Sequence, residues 1–84
     1  MNLKQRFGAN VREQRKRLNV SQGDLSFRIG ADQAYVSRIE RGLMNVTLET
    51  VEQIAMALGI EIETLLALPA RRNPDAEAPR LLLR

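Results

Sequence analysis

Apolar residues recur every three or four positions through most of the first 68 residues of this 84-residue chain, and the pattern divides into five segments. Leu3, Phe7, Val11 and Leu18 form one stripe and predict a helix over about 2–18, with Asn19 as a left-handed residue closing it. Ser21 stands ready to cap a second helix, 22–29, whose inward face is Leu25 and Ile29 with the small Ser26 beside them. Gly30 breaks the pattern. Asp32 then opens a third helix, 33–41, with Val36 and Ile39 turned inward and Gly42 at its end. Thr47 caps a fourth helix running to about 58, with Leu48, Val51, Ile54, Ala55 and Leu58 as its apolar face and Gly59 as its stop. A short fifth helix over 62–67 sets Ile62, Leu65 and Leu66 on one side. Nothing in this span alternates as a strand would, so the expected fold class is all-α, five helices in one domain over 1–68. Beyond it, Pro69, Pro74 and Pro79 interrupt charges and alanines before Leu81, Leu82 and Leu83, and this composition predicts a disordered tail over 69–84.

Composition narrows the function. The chain has no Cys and no His, which excludes a disulfide framework, the usual zinc ligand sets and the common nucleophile–base pairs. No enzyme activity, metal or cofactor is expected. No apolar run approaches the roughly 20 residues that span a bilayer, and residues 1–10 lack the apolar stretch of a secretory signal, so the expected address is cytoplasmic. The net charge of +3 is unevenly spread. Residues 1–42 hold nine cations against four anions, residues 43–68 hold four glutamates and no cation, and the tail adds a net +2. One half of the domain attracts phosphate and the other does not.

The second and third helices, joined at Gly30, meet the physical requirements of a helix-turn-helix. Leu25 and Ile29 bury one helix, and Val36 and Ile39 bury the other. Ser26 is small where the two approach, and glycine supplies the left-handed turn without steric cost. What remains outward on the third helix is Gln33, Ala34, Tyr35, Ser37, Arg38 and Arg41, residue types that read base edges or hold phosphates.

With a Ser-Gln opening at Ser21 and Gln22, the Leu25-Ser26 pair, Gly30, an Ile-Glu-Arg-Gly close at 39–42 and an Ile-Ala-x-Ala-Leu-Gly run at 54–59, the sequence resembles the Cro/C1-type (XRE) helix-turn-helix family over about residues 3–66. The short length and Asn-Val-Thr-Leu at 45–48 are similar to controller proteins of restriction–modification systems. The resemblance implies a five-helix, lambda-repressor-like DNA-binding domain, and a homodimeric transcription regulator whose partner is double-stranded DNA carrying a palindromic operator. Other regulators of the family, such as a phage-type repressor or an antitoxin, and a non-DNA-binding interaction adaptor on the same fold, are the alternatives. Two positions depart from the family pattern: Asp32 stands where many relatives carry Ser or Thr, and Ser26 replaces the usual Ala and brings a hydroxyl that needs a partner.

Within this frame Gln33, at the start of the recognition helix, matches adenine N6 and N7 with both ends of its carboxamide, and Arg38 presents a fork to guanine or to a phosphate. Ala34 and Tyr35 are placed for thymine methyls and Ser37 for the groove. Tyr35 packing on its own helix and Ser37 bonding its own backbone are the plainer roles. Ser21 and Gln22 open a helix whose free N–H groups favour a phosphate. Arg12, Lys16, Arg17, Arg28, Arg41 and Asn45 are candidates for sequence-independent phosphate anchoring, each with ordinary surface charge or polarity as the simpler alternative. Arg15 differs, because on a 100° wheel it falls at the edge of the Val11/Leu18 stripe. A buried guanidinium requires a charged partner, and Glu40 is the candidate for a structural ion pair, as the family resemblance also implies. The segment 43–68 has more apolar surface than two short helices usually need, so Met56, Ile60, Leu65 and Leu68 are candidates for a self-association face, with completion of the core as the plainer role. A domain this small buries only about 60% of its unfolded surface and gains from a partner chain.

Overall fold

The computed structural model describes residues 1–67; Leu68 and the tail over 69–84 lie outside the described residues. The described residues contain five α-helices and no strand: α1 (Leu3–Arg17), α2 (Gln22–Ile29), α3 (Gln33–Glu40), α4 (Leu48–Leu58) and α5 (Ile62–Leu66). The first four helices start and stop where local chemistry dictates. Asn2 accepts from the Gln5 amide while the Gln5 side chain accepts from the Asn2 amide, a reciprocal cap that periodicity alone did not reveal. Ser21 and Asp24 form the same box at the start of α2. Asp32 and Thr47 each accept from the backbone three residues on. At the other ends Asn19 (φ 63°), Gly30 (φ 72°), Gly42 (φ 75°) and Gly59 (φ 69°) turn the chain through the left-handed region.

The core is continuous through all five helices. Leu25, Val36 and Ile39 of the two central helices meet Phe7 and Val11 of α1, Ile54, Ala55 and Leu58 of α4, and Leu65 of α5. Burying a side chain of this kind stabilises by about 1.5–3 kcal/mol, so the same residues that hold the fold also fix how α3 is rotated about its axis.

Five positions expected on apolar faces are exposed. Leu3, Leu18 and Leu48 are 57%, 37% and 84% exposed, and Ile62 and Leu66 37% and 38%; each lies at or next to a helix end, where coverage by a neighbouring helix is incomplete. Polar groups take up core space instead. Asn10, Gln14, Arg15, Ser26 and Glu40 are all buried. The Ser26 hydroxyl donates to the Gly23 carbonyl at 2.8 Å, which answers the need created by its replacing alanine. Gly8 allows the closest approach between helices: a Cβ there would overlap the Ile39 carbonyl oxygen and come within 2.9 Å of that of Glu40. α1 therefore lies directly on the C-terminal end of α3.

Candidate nucleic-acid interface

α3 is held from below by Val36 and Ile39, 1% and 2% exposed. Its opposite side is then open to solvent. Gln33, Ala34 and Arg38 are exposed, as is Arg41 just beyond the helix, whereas Tyr35 and Ser37 are half-buried. Tyr35 packs against the core cluster, so its ring belongs partly to the fold. Ala34, Ser37, Arg38 and Arg41 fall at helical spacing on one stripe, and Gln33 stands beside it at the N-terminal end.

A chain of hydrogen bonds ties that end to the interior. Arg15 donates to Glu40 through Nε at 2.7 Å and through Nη2 at 3.1 Å, and to the Val20 carbonyl through Nη1 at 2.9 Å. Both charged side chains are nearly inaccessible, 9% and 2% exposed. Glu40 Oε1 also accepts from Gln22 Nε2 at 3.0 Å, and Gln22 Oε1 accepts from Gln33 Nε2 at 3.3 Å. The first side chain of α3 is thereby oriented by α2, and α2 by an ion pair anchored in α1. Charge-assisted, bidentate bonds of this type are the stronger and more directional ones. After that bond the carboxamide of Gln33 still has its oxygen and one N–H to offer.

Around this face the sites differ in what they can do. Ser21 caps α2, and its backbone environment carries the positive end of that helix. Arg12 shares with Gly8 and Arg15 the stripe of α1 that faces α3, and it is exposed. Lys16 is exposed in the last turn of α1, where its charge complements the helix dipole, and Asn45 is exposed in the segment between α3 and α4. Two of the cations are directed elsewhere. Arg28 donates through Nη1 to the Ala57 carbonyl at 2.8 Å, so it caps the C-terminal end of α4. Arg17 lies half a turn from Gly8 and Arg15 on α1 and holds Gln14 Oε1 through Nε at 3.2 Å and Nη2 at 2.8 Å. Asp32 uses its carboxylate to accept the Tyr35 amide at 2.8 Å, replacing a hydroxyl cap with a charged one.

The matched family description is "Helix-turn-helix", and it covers residues 11–65. The chain belongs to the helix-turn-helix family. Relatives within it include the control protein C.BamHI of Bacillus amyloliquefaciens, 41% identical over 66 residues that make up 77% of this chain and 82% of that protein. The control protein C.MunI of Mycoplasma sp is 38% identical over 64 residues, 75% of this chain and 86% of that one. Among solved structures, the restriction-modification controller protein C.AhdI from Aeromonas hydrophila superposes with a TM-score of 0.70 at 41% identity, covering 73% of this chain and 88% of that one. Both the motif and the Cro/C1-type assignment stand on these matches together with the five-helix geometry.

The self-association residues expected from sequence require correction. Leu65 is 0% exposed and belongs to the core, where α5 docks on α1 and α4, so it offers no free surface; Ile60 is half-buried against that core. Met56 is 80% exposed, but it stands beside Arg28, Ile29 and Gln53 on the α2–α4 side. Leu68 lies outside the described residues. Several exposed apolar side chains gather elsewhere, in a groove of about 740 Å³ between the start of α1, the start of α4 and α5, with walls from Leu3, Phe7, Leu48, Val51, Ile62 and Leu66 and with Lys4, Glu49 and Glu52 among its polar lining. No described helix is long and apolar enough to cross a membrane.

Proposed function

We propose that this protein is a sequence-specific transcription regulator of the restriction–modification controller type, binding a palindromic operator as a homodimer. The observation that carries this reading is the rotation of α3: Val36 and Ile39 pinned into the core, with Gln33, Ala34 and Arg38 left exposed and Gln33 held in register by Gln22. In this reading Gln33 and Arg38 read bases, Ala34 contacts a thymine methyl, and Tyr35 and Ser37 contribute their exposed edges. Ser21, Gln22, Arg12, Lys16, Arg41 and Asn45 neutralise or bond phosphates, which positions the helix without specifying sequence. The domain over 1–68 is the DNA-binding unit. The apolar groove beside α5 carries Lys4 as well as Glu49 and Glu52, so its charges complement those of an identical groove, and it takes the same groove of a second copy. The two α3 helices then serve two half-sites, which on B-DNA recur about 34–36 Å apart.

Selection of bound duplexes from a random pool by the full chain, followed by sequencing, tests this directly. A pseudo-palindromic consensus is expected, with binding to the selected site weakening at a slope of about −0.9 per neutralised phosphate in log K against log salt. Failure to retain any duplex at low ionic strength would refute the reading and favour a protein-binding adaptor on the same fold.

A further inference from the structure

α5 is the least self-sufficient element of the fold. It has five residues, no side-chain cap at its N-terminus, and a single buried side chain, Leu65. One turn of helix does not hold itself together in water, because nucleation fixes several backbone dihedrals for each hydrogen bond gained. Yet two walls of the apolar groove, Ile62 and Leu66, stand on this turn. α5 packs against both α1 and α4, but its side-chain hydrogen bonds come from α1 alone among the described residues. Asn10, 3% exposed, donates through Nδ2 to the Leu65 carbonyl at 2.8 Å and to the Ala67 carbonyl at 2.6 Å. Carbonyls at a helix C-terminus have no partner within the helix, and both N–H groups of one buried amide serve the two here. Among the described residues, no other side chain outside α5 bonds its backbone.

We infer that Asn10 is a positioning residue for self-association: it clamps α5 against α1 and so fixes where Ile62 and Leu66 stand in the groove. The inference rests on the reading that this groove receives a second copy. α2 and α3 do not use the clamp's bonds, since Leu25, Val36, Ile39 and the Arg15–Glu40 pair hold them, and Leu65 is the one α5 residue in the core they share. A subunit with the clamp open keeps its helix-turn-helix and loses one wall of its pairing surface. Pairing and the docking of α5 are therefore one coupled step, and each strengthens the other.

Asn10→Leu keeps the bulk and removes both donors. Two measurements on the full chain test it: hydrogen exchange of the backbone amides, and the dimer constant by sedimentation equilibrium. Val20→Ala, a truncation in the turn between α1 and α2, serves as a general destabilisation control. Expected for Asn10→Leu are exchange at least tenfold faster at Leu65 and Leu66 with α2 and α3 unchanged, and a dimer constant weakened at least tenfold. Val20→Ala should leave the dimer constant within twofold. If Asn10→Leu does not fold, Asn10→Ala, which admits water to the two carbonyls, should show the same pattern at smaller size. Unchanged α5 exchange, or equal acceleration in every helix, overturns the inference about Asn10. A freed α5 with an unaltered dimer constant instead overturns the placement of the dimer face, and the positioning role falls with it.

Discussion

Replacing Glu40 with alanine is expected to remove much of the stability of this domain. The carboxylate accepts two bonds from Arg15 and one from Gln22, at a site where both ionised side chains are almost shielded from water. After Glu40→Ala the guanidinium keeps the Val20 carbonyl alone, a neutral partner for a buried charge. Breaking a buried pair from one side costs about 3–5 kcal/mol. At about 0.05–0.15 kcal/mol per residue, the 84-residue chain has about 4–13 kcal/mol in all. Urea unfolding followed by far-ultraviolet circular dichroism, at a slope of about 2 kcal/mol per molar, should therefore show a midpoint lowered by about 2 M. The companion variant is Arg15→Met with Glu40→Leu. Removing both charges removes the desolvation cost along with the attraction, so most of the loss should be recovered. DNA selectivity should not recover with it, because Gln22 loses the acceptor that orients it toward Gln33. A Glu40→Ala midpoint close to the parent, or a double variant no more stable than the single one, would refute the account of a buried, mutually dependent pair.

Other outcomes follow from the same geometry. Gly8→Ala should be severely destabilising, well beyond the 1–3 kcal/mol typical of an overpacked core, because the new methyl meets α3 backbone oxygens that have no rotamer to yield. Gly30→Ala should cost only the left-handed strain of about 1–2 kcal/mol, since a Cβ there meets nothing within 4 Å; denaturant midpoints of the two variants check the order. Gln33→Ala and Arg38→Ala should each lose about 1–3 kcal/mol on the selected site and relax preference at one base position, whereas equal losses on random duplex would remove them as base readers. Arg28→Ala should lower the thermal midpoint through the lost α4 cap and leave the salt slope of DNA binding unchanged; a slope reduced by about one would place it on a phosphate instead.

The helix-turn-helix was legible along the chain because its determinants are local. Caps act within three residues, as at Ser21, Asp32 and Thr47, and the left-handed stops at Asn19, Gly30 and Gly59 are properties of single residues. Helical periodicity put Leu25, Val36 and Ile39 inside, and from them came the outward face of α3. Gly8, within the first helical segment, is also a sequence signal, because a glycine held in a helix interior marks a close approach.

What periodicity did not supply is the identity of the neighbour. Whether an apolar residue at a helix end is covered depends on an element elsewhere in the chain, which is why Leu48 and Met56 are open while Leu65 is sealed. The same holds for Asn10, whose partner carbonyls lie 55 and 57 residues away, and for Arg28, whose charge is directed to Ala57 rather than to the surface facing Gln33. The boundaries of the four capped helices and the inward placing of Leu25, Val36 and Ile39 follow from short-range backbone and side-chain energetics, so sequence alone determined them. The groove, the bonds from Asn10 to the end of α5 and the engagement of Arg28 by α4 arise only when the helices pack, because each needs two surfaces brought together by the tertiary structure.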